Sequence, residues 1–127
     1  MALWGKKKAS DILVKYLDEN KIHYEIKDNV VSFELELGSY SLFPYFEVDD
    51  IKNMLSVVVN VCEKKLTDNL LRKVNEFNLK SKYFAAKVNN NIIYLEYNVK
   101  IDTDIVADVF KDLIASLNQL EEIIDNL

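Results

Sequence analysis

Residues 66–99 have the sequence LTDNLLRKVNEFNLKSKYFAAKVNNNIIYLEYNV, and this stretch decides the fold. Its first part carries apolar residues at helical spacing, which predicts an amphipathic helix over residues 64–78. Two runs of alternating polarity follow, at residues 83–88 and 92–99, and they predict two β-strands. Residues 89–91, all asparagine, suit the turn between them, because Asn tolerates left-handed backbone. The stretch therefore predicts a helix followed by a β-hairpin.

The chain before this stretch has the pattern of one helix and three strands. Ser10 is a good helix N-cap, and the apolar spacing after it predicts a short helix that ends near Asn20. Three stretches of alternating polarity follow, at residues 31–37, 40–48 and 54–61. Such alternation predicts half-buried strands. Pro44 interrupts the second stretch and has no N–H to donate, so that strand is expected to be an edge strand or to be broken there.

A third helix is predicted to begin after Asp102 or Thr103. Its apolar residues recur at steps of four and three, at Val106, Phe110, Leu113, Leu117, Leu120, Ile124 and Leu127. This stripe is wider than a coiled-coil seam, which favours packing into a core over a coiled coil. The predicted order is α-β-β-β-α-β-β-α, which indicates an α+β fold with an antiparallel sheet packed by helices.

Length and composition indicate one domain without enzymatic machinery. A chain of 127 residues, half of them hydrophobic, fits a single α+β domain over residues 1–127, with residues 1–8 as a flexible tail. It contains one His (His23), one Cys (Cys62) and two Gly, too few parts for the usual catalytic sites. Its carboxylates lack the spacing of a calcium loop. We therefore expect no enzyme, no metal and no cofactor.

Charge is distributed unevenly along the chain. Residues 101–127 contain seven acids and one Lys, a net charge of −6, which leaves the remainder at +1 of the total of −5. An acidic segment repels phosphates, so nucleic acid is not an expected partner. The basic cluster Lys6-Lys7-Lys8, beside Leu3 and Trp4, suggests at most a weak membrane contact, against the simpler interpretation as a solvated tail. No stable membrane insertion is expected, and a cytoplasmic location is the default.

Two asparagines near the end of the second predicted helix are unusual, because Asn is a poor helix former. Asn75 is expected to hydrogen-bond the backbone of a loop, and Asn78 to help end the helix. Both roles are structural, so neither residue indicates a ligand.

Four residues form the best candidate interaction surface. Phe43 and Tyr45, with Val58 and Tyr94, fall on the outward faces of the predicted strands. An open sheet face normally carries few aromatic residues, and contiguous exposed apolar area often marks a partner site. Two alternatives remain open: a helix covers this face, or the strand register is shifted by one residue, which would exchange the faces.

The predicted order and several local strings resemble the YbjN family, which has the type III secretion chaperone-like fold. The strings are LFPYFEVD at residues 42–49, VNEFN at 74–78, the asparagine-turn hairpin and LWGKKK at 3–8. The resemblance covers residues 10–127 and implies a small bacterial protein, often dimeric, that binds other proteins as a chaperone or regulator. It implies no catalytic residues.

Two functions follow as hypotheses. The first is a homodimeric, chaperone-like adaptor that holds an extended segment of a protein client with its sheet aromatics and an edge strand. The alternative is an acidic inhibitor or immunity-type protein that neutralises a basic partner through the last helix. The two differ in the surface they use and in the salt dependence of binding.

Overall fold

The computed structural model describes residues 8–37, 40–101 and 105–126 of the chain. The Lys6-Lys7-Lys8 cluster lies outside these residues except for Lys8, as do Leu127 and the predicted start of the last helix at Asp102 or Thr103.

The described residues form three helices and eight strands. The helices are α1 (Ala9–Glu19), α2 (Asp68–Lys80) and α3 (Ile105–Asp125). The strands are β1 (Tyr24–Lys27), β2 (Val30–Phe33), β3 (Leu35–Leu37), β4 (Tyr40–Leu42), β5 (Tyr45–Asp49), β6 (Met54–Glu63), β7 (Ala85–Asn89) and β8 (Ile92–Lys100). Six strands make one antiparallel sheet in the order β1-β2-β5-β6-β8-β7, and β3 pairs with β4. The predicted α+β class with an antiparallel sheet is confirmed.

The hairpin that follows α2 forms as predicted. Its loop residues Asn90 and Asn91 have φ of 52° and 64°, the left-handed conformation that Asn tolerates. On β8 the burial alternates: Ile93 and Leu95 are fully buried, whereas Tyr94 is half-buried on the opposite face.

β1 is a strand beyond those predicted. It forms a hairpin with β2 across the two-residue turn Asp28-Asn29, and it lies at one edge of the sheet. Its residues do alternate between apolar and polar, but the strand is only four residues long and mostly exposed, so the signal is weak.

The first two predicted strands, at residues 31–37 and 40–48, are each interrupted once. β2 continues into β3 and β4 into β5 without a change of register, since Ser32 faces Tyr45 and Leu35 faces Leu42. The ladder is absent only between these pairs, where Pro44 lies. Pro44 donates no hydrogen bond, so the break follows from its missing N–H. β5 lies between β2 and β6, so the strand is broken rather than an edge.

The three helices pack on one face of the sheet, where α1 and α3 meet an aromatic cluster. Phe110 of α3 lies 5.2 Å from Phe46 of β5 and 5.5 Å from Phe33 of β2, measured between ring centroids. Tyr16 of α1 contacts the same Phe110 ring at 4.8 Å. The α3 stripe from Val106 to Ile124 is buried in this core, as the core-packing prediction requires.

The start of α1 differs from the prediction. Ser10 lies inside the helix, and the N-cap position is Lys8, whose side chain makes no capping hydrogen bond. The acceptor comes from the β5–β6 turn instead. The backbone N–H of Ser10 donates to Asp50 Oδ1 at 2.9 Å, and Ser10 Oγ donates to Asp50 Oδ2 at 2.9 Å. A carboxylate forty positions away in the chain therefore caps this helix.

Replacing Asp50 with alanine is expected to lower the free energy of unfolding by about 1 kcal/mol, because the first turn of α1 loses its acceptor and a favourable negative charge. Urea denaturation followed by circular dichroism measures this. Asp50→Asn is the matched control: it keeps an oxygen acceptor and should recover part of the loss. An Asp50→Ala variant as stable as the wild type would show that the cap contributes nothing.

Candidate functional site

The sheet face opposite the helices is open in the part of the chain that the structure describes. On β5, Phe46 and Val48 are buried toward the helices, whereas Tyr45 and Glu47 point to the other side and are exposed. The same alternation continues on β6, where Leu55, Val57 and Val59 are buried, Met54, Ser56 and Val58 are half-buried, and Asn60 is exposed. Sequence reasoning left two alternatives to an open face: a covering helix, or a strand register shifted by one residue. In the described residues no helix covers this face, and the register is not shifted.

The four predicted residues share this open face and lie close to one another. Tyr45 and Val58 are direct cross-strand partners. Tyr94 faces Asn60, two residues beyond Val58, which makes Tyr94 a diagonal neighbour at about 7–8 Å between Cα atoms. Phe43 precedes Tyr45 by two residues and is 53% exposed, while Tyr45 is 47% exposed. We call Phe43, Tyr45, Val58 and Tyr94 the aromatic patch.

A groove lies beside Phe43, next to the paired strands β1 and β2. This open groove, of about 390 Å³, is lined by His23, Tyr24, Glu25, Ser32, Phe33, Glu34 and Phe43. His23 is exposed and forms part of its wall. The groove joins the aromatic patch to strand β1.

The two sides of the aromatic patch differ in charge: one carries an ion pair and the other carries carboxylates. At one side, Lys87 Nζ lies 2.9 Å from Glu96 Oε2, and this contact holds the pKa of the Glu96 carboxyl below its usual range and raises that of Lys87. Across the patch, Glu34 and Glu25 border the groove, and Glu34 Oε1 accepts a hydrogen bond from Ser41 Oγ at 3.0 Å. The groove side of the patch is therefore acidic.

The only cysteine, Cys62, lies at the end of β6, half-buried against the core. Burial raises the pKa of its thiol despite the nearby Lys64, so the thiol form is favoured over the nucleophilic thiolate. Among the described residues, His, Cys, Asp and Glu form no group of three that could hold a metal ion.

The role of the two unusual asparagines differs from the prediction. α2 continues past Asn78 to Lys80, so Asn78 does not end the helix. Its side chain instead bonds the backbone of β7: Nδ2 donates to the Ala86 carbonyl at 2.9 Å, and Oδ1 accepts from the Ala86 N–H at 2.7 Å. Asn75, expected to bond a loop, has an exposed side chain. Asn78 therefore occupies the place of a further strand beside β7.

The acidic residues of α3 are spread along the helix and partly face a lysine. Lys82, in the loop between α2 and β7, lies over the ring of Tyr83, 5.1 Å from its centroid. Its hydrogen bond to Tyr83 raises the pKa of Lys82, and the carboxylates of Asp112 and Asp108 raise it further. Part of the negative charge of α3 is thus directed at a cation of the same chain.

Comparisons with known proteins give no match. Neither a protein-family model, a curated protein nor a solved structure matches the chain. None of the helices in the described residues is long and apolar enough to cross a bilayer.

Proposed function

We propose that the chain is a non-enzymatic protein-binding module of the cytoplasm, a homodimer that holds a segment of a client protein on the open face of its sheet. The observation that carries the proposal is the aromatic patch. Phe43 and Tyr45 are each about half exposed, on a face that no described helix covers. Aromatic side chains dominate the binding energy of many protein interfaces, and exposed apolar area of this kind is typical of partner sites.

The chemistry of the patch indicates what such a client segment carries. The half-buried Val58 and Tyr94 complete an apolar surface around the two exposed rings. Glu25 and Glu34 make the adjoining groove acidic. We therefore expect the client segment to combine apolar side chains for the patch with a basic side chain for the groove.

A chaperone-like or regulatory role of the YbjN type belongs to the same proposal. Its support is the order of elements together with the strings at residues 42–49 and 74–78. The first of these strings contains both Phe43 and Tyr45, so a test of the patch also tests the part of the resemblance that concerns function.

Replacing Phe43 and Tyr45 together with serine is expected to remove client binding while the fold persists, because both side chains lie outside the core. Tagged protein would be incubated with extract of its native cells at low salt, and retained proteins quantified by mass spectrometry. Retention of a client should fall at least about tenfold, corresponding to roughly 1.4 kcal/mol or more for two aromatic contacts.

The matched control removes exposed apolar area elsewhere. Ile51, in the β5–β6 turn, is 96% exposed, and Leu79, on α2, is 87% exposed. An Ile51→Ser, Leu79→Ser double variant should retain the client at the wild-type level. Equal retention by the patch variant and the wild type would remove the assignment of the patch as the binding site.

The alternative function, neutralisation of a basic partner by α3, uses a different surface. It is supported by the acidic residues of that helix, at Asp108, Asp112, Glu121, Glu122 and Asp125. Because Asp108 and Asp112 act on Lys82, we place it second. A basic protein that is retained equally by the patch variant, and that is released by moderate salt, would favour this alternative.

A further inference from the structure

The two edges of the six-stranded sheet differ in whether their outward-pointing backbone N–H and C=O groups have hydrogen-bond partners. At the β7 edge, Asn78 satisfies both the N–H and the C=O of Ala86, and Ser81 Oγ donates to the carbonyl of Phe84. These bonds occupy the outward backbone groups at the start of β7. Among the described residues, the opposite edge is β1, which has a neighbouring strand, β2, on one side only.

The direction of the backbone groups of β1 follows from its hairpin. A two-residue loop joins Lys27 to Val30, and in such hairpins the two flanking residues exchange both backbone hydrogen bonds. Because the direction alternates along an antiparallel strand, Glu25 bonds Ser32 in the same way. The N–H and C=O of Ile26, which lies between them, then point to the free edge.

The side chain of Ile26 is also available at this edge. It is 54% exposed and lines an open groove of about 330 Å³ between α1 and the sheet, together with Val14 and Val31. An exposed β-branched residue in the middle of an edge strand, with free backbone groups, is a template for strand pairing.

The sequence around Ile26 is complementary to itself. Two copies of β1 can pair about a two-fold axis only in registers that keep the sheet faces continuous, which centre on Tyr24, Glu25, Ile26 or Lys27. The register centred on Tyr24 pairs no residue of β1 other than Tyr24 itself. The register centred on Glu25 places Glu25 opposite the partner's Glu25, and the register centred on Lys27 places Lys27 opposite the partner's Lys27. Only the register centred on Ile26 places each Glu25 opposite a Lys27, and like charges in direct opposition destabilise a strand pair.

We propose that a second copy of this chain pairs with β1 in antiparallel fashion, about a two-fold axis at Ile26. The two Ile26 residues exchange their backbone hydrogen bonds, and two Glu25–Lys27 ion pairs form on the open face. The two six-stranded sheets then make one continuous sheet. The aromatic patches of the two copies share the open face of this sheet.

This inference rests on the homodimer of the proposed function and identifies its surface, but it does not depend on the client. It is measured on the purified protein alone. A failure of strand pairing therefore leaves the client assignment intact, and a failure of the patch variant leaves strand pairing intact.

Proline at position 26 is the first test. The Ile26 N–H points to the free edge and makes no bond to β2. Proline is tolerated at such positions of edge strands, so Ile26→Pro should leave the monomer folded. It should abolish pairing with a second copy. Sedimentation equilibrium over a range of concentrations should show a dimer for the wild type and a monomer for the variant, with unchanged circular dichroism.

Charge exchange is the second test, and it does not depend on tolerance of proline. Glu25→Lys alone should weaken the dimer at least about tenfold at low salt, because two pairs of like charges face each other. Lys27→Glu alone should act likewise. The double variant Glu25→Lys, Lys27→Glu restores both pairs and should dimerise as the wild type does.

Two results would overturn the proposal. A wild-type chain that stays monomeric at every concentration would show that no such dimer forms. A dimer that survives both Ile26→Pro and the single charge reversals would place the interface elsewhere on the molecule.

Discussion

Replacing Phe46 with alanine is expected to lower the free energy of unfolding by about 3–5 kcal/mol, close to the loss of the fold for a domain of this size. Phe46 is fully buried and packs edge-on against Phe33, with ring centroids 5.3 Å apart. It also contacts Phe110, so it joins β2, β5 and α3. Its removal leaves a cavity where the sheet meets the helices, and this part of the core cannot collapse without moving α3.

Phe43 provides the control for this measurement. It lies three residues earlier, on the open face, and is 53% exposed. Phe43→Ala should change stability by at most about 0.5 kcal/mol, since it removes surface rather than core. Both variants are compared by urea denaturation followed by circular dichroism. Similar losses for the two variants would mean that the faces of β5 are not as described.

Replacing Asn78 with alanine is expected to cost about 1–2 kcal/mol, the second-largest effect. Two backbone groups of Ala86 lose their partners at once, and neither has another strand to bond. Alanine is a better helix former than Asn, so part of this loss is masked by improved helix propensity.

Asn75→Ala measures this gain in helix propensity alone, because it makes the same substitution in the same helix at an exposed side chain. It should leave the protein as stable as the wild type or slightly more stable. The difference between the two variants then measures the Asn78–Ala86 bonds. Hydrogen exchange of the Ala86 amide should accelerate in Asn78→Ala only; unchanged protection would show that the amide is held by something else.

Loss of the Asn78 bonds has a second consequence at the sheet edge. With Asn78 in place, the Ala86 backbone cannot pair with another strand. Without it, β7 becomes an open edge like β1. Asn78→Ala is therefore expected to associate at high concentration, a process that sedimentation velocity detects and that Ile26→Pro should not prevent.

The faces of the strands followed from the sequence because they depend on a local rule. Successive side chains of a strand point to opposite sides, so the alternation around Phe46 placed Phe43 and Tyr45 on the open face. The asparagine turn and the buried stripe of α3 were predictable for the same reason. In each case the signal lies within a few residues.

The partners of these elements were decided by the tertiary structure. Asp50 caps α1 and Asn78 closes β7 because the fold brings residues from different elements together, and no local pattern encodes either contact. β1 escaped prediction because its run of alternating residues is only four residues long and mostly exposed, so the signal is weak. The sequence by itself thus determined which side chains face the core, through periodicity. Only the strand order decided which exposed residues are neighbours and which sheet edge stays open, because cross-strand partners are set by packing rather than by nearness along the chain.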